Sequence, residues 1–112
     1  MVEDYKQLRI WQQSIELAKL VYMLVDLLPD KERYGLRSQL TRAVVSIATN
    51  IAEGSRRKTT KDLTNFLTIA LGSLAEVETQ IIIAILRLKL DCYRRHLVKR
   101  PLAKLTNLRR VS

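Results

Sequence analysis

Hydrolysis or group transfer needs a nucleophile beside a base, paired carboxylates, a set of metal ligands or a glycine-rich phosphate cradle, and this 112-residue sequence offers none of them at working spacing. His96 is the single histidine. It stands among Arg94, Arg95, Lys99 and Arg100 and reads as an exposed residue without a partner ligand. Cys92 is the single cysteine, which excludes an internal disulfide and a multi-cysteine metal site, fits a reducing compartment and reads as a passive thiol. Glu53, Glu76 and Glu78 have no histidine at metal-binding spacing. Trp11 falls at core spacing and reads as a packing residue rather than a stacking platform. No catalytic residue, cofactor or metal is expected.

The chemistry that remains is charge. Arg56, Arg57, Lys58 and Lys61 fall in one short polar stretch, and the net charge of +9 is unevenly spread. Residues 1–86 hold 11 Lys and Arg against 10 Asp and Glu, whereas residues 87–112 hold 9 cations, among them Arg94, Arg95, Arg109 and Arg110, against Asp91 alone. Such clusters attract phosphate backbones and release their counterions. These eight cations are the candidate nucleic-acid-binding residues, with RNA contacted through its backbone, since no aromatic base-stacking motif is present. A solvated helix face accounts equally well for a basic segment taken alone.

The elements that must position these cations are helices. Three Gly, two Pro and a predominance of Leu, Ile, Ala, Lys and Arg favour one all-α domain over residues 1–112. The spacing predicts a first helix from Leu8 to Leu28, stopped by Pro29, with apolar rows at 8, 11, 15, 18, 22, 25 and at 10, 17, 21, 24, 28. Two rows are more than one bundle face requires, so Leu17, Val21 and Leu24 are predicted to meet another copy of the chain. A second helix is predicted over Leu36–Glu53, burying Leu36, Leu40, Val44, Ile47 and Ile51, with Gly54 as a left-handed cap. Thr59 and Asp62 have capping spacing, which starts a third helix near Thr60 that runs about 27 residues. Gly72 inside it predicts a close helix crossing. Asp91 is predicted to cap a fourth, basic helix over 91–112, in which Tyr93, Leu97, Leu105 and Leu108 face inward and Pro101 introduces a kink. The expected architecture is an up-down-up-down four-helix bundle, with the turn between helices two and three at the same end as the termini. Acids at Glu3 and Asp4, and a longest apolar run of only Ile81–Leu86, predict a cytoplasmic protein that does not enter a membrane.

Several segments resemble a known family. Tyr5–Tyr22, Glu32-Arg-Tyr-Gly-Leu36, Asn50-Ile-Ala-Glu-Gly-Ser-Arg-Arg57 and, most specifically, Phe66-Leu-Thr-Ile-Ala-Leu-Gly-Ser-Leu-Ala-Glu-Val-Glu-Thr-Gln80 are similar to the bacterial four-helix bundle proteins encoded in intervening sequences of 23S ribosomal RNA genes. The resemblance implies a non-enzymatic protomer that assembles as a ring-like homopentamer. A related branch resembles accessory proteins of diversity-generating retroelements, which bind reverse transcriptase and nucleic acid. The resemblance assigns Asn50, Glu53 and Gly54 to turn and packing roles. The chain departs from the family pattern at Ala48, where proline is common, and over Arg87–His96, which replaces a Gly-Tyr-Leu turn. Three functions remain open: an RNA-binding assembly, a protein-interaction scaffold such as a reverse transcriptase accessory subunit, and an element-encoded protein with no selected activity.

Overall fold

The computed structural model describes the backbone of residues 4–99 and side chains through His96. Within that range the chain is all-helical, with three helices: α1 (Arg9–Val25), α2 (Leu36–Ser55) and α3 (Thr60–Lys99). Short 3-10 turns at Tyr5–Gln7 and Asp30–Glu32 precede α1 and α2. Pro29 adopts extended backbone, and the residues before it tighten into i to i−3 bonds, Leu27 N donating to Leu24 O at 3.0 Å and Leu28 N to Val25 O at 3.1 Å. The proline thus ends α1 three residues earlier than the apolar rows suggest.

Helix α2 is the central element. It packs along α3 on one side and against α1 on the other, while α1 and α3 barely touch. The face predicted for α2 is the buried one: Leu40, Val44, Ile47 and Ile51 lie in the core with Ala43, and Leu36 packs partly against it. From α3 they meet Ala70, Val77 and Ala84, and from α1 and its end Val21, Val25 and Leu28. Most of the two rows read on α1 form one inward face, with Leu8, Trp11, Leu17, Ala18 and Leu24 packed around its edges, while Ile10 and Tyr22, each 49% exposed, turn outward.

Helix α3 corrects the sequence reading. It spans 40 residues, about 60 Å, so Asp91 lies inside it and starts no fourth helix. The Asp91 carboxylate accepts from Arg87 Nη1 one turn earlier at 2.7 Å. No glycine or proline interrupts 87–99, so nothing local reverses the chain there. Tyr93, expected to face inward, is 45% exposed. The expected kink at Pro101 and the inward Leu105 and Leu108 lie outside the described residues, as does the side chain of Leu97. The result is elongated, 65 × 26 × 23 Å, with a radius of gyration of 19.8 Å where a compact chain of this length would have about 13 Å.

Thr59 caps α3 as predicted, its Oγ1 accepting from Asp62 N at 3.1 Å. The two glycines exchange roles. Gly54 is helical and buried, with negative φ, and a Cβ there would meet Phe66 Cβ at 2.9 Å and Leu63 Cδ1 at 3.3 Å, whereas nothing lies within 4 Å of one at Gly72. Gly54 is therefore the close crossing and Gly72 an open helix position. Gly54→Ala is expected to lower stability by about 1–2 kcal/mol, overpacking outweighing the gain in helix propensity. Gly72→Ala should raise it by about 0.5–1 kcal/mol. Urea denaturation of both variants checks the pair, and equal midpoints would contradict the α2/α3 crossing.

Candidate nucleic-acid interface and assembly surface

The α2–α3 connection is built by the Asn50, Glu53 and Gly54 triplet. Asn50 Nδ2 donates to Ser46 O at 2.7 Å and to Ser46 Oγ at 2.9 Å, and Ser73 Oγ donates to Ser46 Oγ at 2.9 Å, a polar seam between the helices. Gly54 lets Phe66 close on α2. Glu53 Oε2 pairs with Arg57 Nη2 at 3.0 Å, and that guanidinium lies 4.7 Å over the Phe66 ring. Arg57 is thereby committed to the turn, its charge offset by Glu53. Arg56, Lys58 and Lys61 are exposed, and their side chains have no ion-pair or hydrogen-bond partner among the described residues. Beside them opens a groove of about 760 Å³ between α1 and α2, walled by Tyr5 and Trp11 and floored by Ala48 and Ala52, with Arg56 and Arg57 at its end. Trp11 is half-buried in this wall and meets Tyr5 edge to face at 5.5 Å. The N-terminal turn therefore shares an end of the molecule with the basic connection, as expected for antiparallel helices.

Arg94 and Arg95 lie at the opposite end. They surround, with Lys31, a hollow lined by Leu27, Pro29 and Leu88 where the α1–α2 turn meets α3. Arg87 holds this junction, donating through Nε to Glu32 Oε1 at 3.0 Å and through Nη1 to Asp91 Oδ1 at 2.7 Å, with its side chain only 16% exposed. Arg87→Met would leave two mostly covered carboxylates facing each other and is expected to cost about 1–3 kcal/mol. A thermal melt of that variant that matched the wild type would show the clamp to be idle. Arg109 and Arg110 lie outside the described residues, so the cluster they were predicted to join is seen without them.

The apolar surface differs from the predicted one. Val21 is 0% exposed, and Leu17 and Leu24 pack against the same core, so this row closes the protomer instead of presenting a face to another copy. The exposed apolar and aromatic side chains of α1 are Ile10, Leu20, Tyr22 and Met23, with Leu27 just past its end, and α3 exposes more, among them Ile69, Leu71, Ile82, Ile83, Ile85, Leu86 and Leu90. The signal was legible in Ile81–Leu86, a run that is apolar on every side of a helix. The same composition makes α3 long and apolar enough to cross a membrane, with an 18-residue stretch of mean hydropathy 1.7. Total accessible surface is 8571 Å², against about 6300 Å² for a compact protein of this mass. The excess is of the size that a stable protein interface covers. Among the described residues no cluster of three His, Cys, Asp or Glu stands ready for a metal ion.

In comparisons with known proteins, a family model described as 23S rRNA-intervening sequence protein matches residues 6–108. No curated protein matches the chain.

Proposed function

The chain belongs to the 23S rRNA-intervening sequence protein family, and from that premise we propose that it is a non-catalytic, cytoplasmic homo-oligomer that binds RNA through its basic surface. The observation that carries the binding reading is the trio Arg56, Lys58 and Lys61, exposed and unpaired at the α2–α3 connection, while Arg57 is spent on holding that connection in shape. Cations with no internal partner cost least to bring against phosphate, because no existing ion pair has to be broken. Assembly then multiplies a weak patch into a multivalent one.

The bare face of α3 supports the assembly reading. A second copy is a better cover for it than lipid: Glu76 and Glu78 are exposed on the same helix, and each would cost about 3 kcal/mol or more at mid-bilayer. Copies packed across this face would complete a four-helix layer, and five chains are expected from the family resemblance. The same face favours a second reading, a scaffold for a different protein such as a reverse transcriptase, in which apolar contact dominates and charge matters little.

The test is titration of the purified protein with a structured RNA at low salt, followed by anisotropy of the RNA and by Trp11 emission. Trp11 is the single tryptophan and stands in the groove that ends at Arg56, so binding at this connection is expected to change its fluorescence. Absence of RNA binding at low salt would set the scaffold reading ahead.

A further inference from the structure

Two groups of exposed cations stand at opposite ends of α3, with a long span of that helix between them that holds none. From Asp62 to Leu86 the helix carries no Lys or Arg, a stretch of about 37 Å, and Glu76 and Glu78 are exposed within it. On the flanking helices at that level, Lys19 is paired with Glu16 at 3.1 Å and Arg42 Nη2 donates to Ser38 Oγ at 3.1 Å. At one end are Arg56, Lys58 and Lys61. At the other, Lys31, Arg94 and Arg95 ring the hollow at the α1–α2 turn, where the neighbouring carboxylates Glu32 and Asp91 are both occupied by Arg87.

Lys61 and Arg94 are 33 residues apart on one uninterrupted helix, about 50 Å, which is several times the screening length of roughly 8 Å at physiological salt. The two patches are therefore electrostatically independent. A single duplex laid along α3 would have to cross its acidic and apolar middle, where that helix offers the phosphates no cation. We propose that each chain carries two separate phosphate-binding surfaces, one at each end of α3, and so holds two distinct nucleic-acid segments instead of one continuous segment. This rests on the RNA-binding reading above and adds to it the number, place and independence of the sites.

The experiment uses the full chain and an RNA duplex of about ten base pairs, roughly 34 Å or less in length and too short to reach both patches. Native mass spectrometry and a stoichiometric titration at low salt read the number of duplexes per chain, a ratio that does not depend on how many chains assemble. The expected result is two per chain for the wild type. One per chain is expected both for Arg56→Gln with Lys58→Gln and Lys61→Gln, and for Lys31→Gln with Arg94→Gln and Arg95→Gln. All six positions are exposed, so circular dichroism should be unchanged and a loss reads as lost binding. Saturation at one duplex per chain in the wild type, abolished by one set and untouched by the other, would overturn the two-site inference and leave RNA binding standing. No duplex bound at any salt would overturn both.

Discussion

Raising monovalent salt from about 50 to about 200 mM is expected to weaken RNA binding roughly a thousandfold, the loss that follows when on the order of six phosphates are neutralised. Three of those contacts are assigned to Arg56, Lys58 and Lys61, so replacing all three with glutamine should lower the slope of log affinity against log salt by about 3. Arg57 stays in place in that variant because its removal would also break the Glu53 pair and the contact with Phe66, mixing a folding defect into the measurement. Anisotropy titrations at four or five salt concentrations supply the slopes. An unchanged slope in the triple variant would take the α2–α3 connection out of the interface. Binding with almost no salt dependence would mean that apolar contact dominates, the signature of the scaffold reading.

A comparable effect is expected on assembly. Ile82→Glu with Leu86→Glu places two carboxylates one turn apart on the bare side of α3, where the wild-type residues are 68% and 53% exposed. In a lone protomer these positions face water, so the fold should tolerate the change to within about 0.5 kcal/mol. In an assembly that covers this face, each interface would bury two unpaired charges, a cost of several kcal/mol per ion. Light scattering at micromolar concentration should therefore show a closed multimer, five chains by expectation, for the wild type and a single chain for the variant, with unchanged helical circular dichroism. A variant that kept the wild-type mass would move the interface elsewhere, and a wild type that was itself a stable monomer would end the assembly reading. Leu17→Lys and Leu24→Glu, which the apolar rows of α1 had suggested, are poorer probes. Both side chains pack against the protomer core, and lower mass there would follow from unfolding as readily as from a lost interface.

Local signals carried much of this molecule. The inward face of α2, the stop before Pro29, the Thr59 cap and the polar connection with its cations are each specified by residues within a few positions of one another, and helical spacing makes them legible in one dimension. What depended on the third dimension was every choice between equivalent local options. Asp91 is as good a cap as it is a partner one turn away, and the choice falls to Arg87, which Glu32, 55 residues distant in sequence, holds in place to receive it. Gly54 and Gly72 are both helical glycines, and only the approach of Phe66 gives one of them a purpose. Val21 and Met23 are both apolar members of α1, but α2 and α3 lie on one side only, so Val21 is sealed in the core and Met23 is left bare. Composition and periodicity thus determined that the chain is helical, basic and apolar in excess of what one protomer can bury. Tertiary structure decided which apolar face remains open and that Arg56 and Arg94 stand at opposite ends of the molecule, because a side chain's burial and its distance from other charges depend on neighbours that sequence separation does not measure.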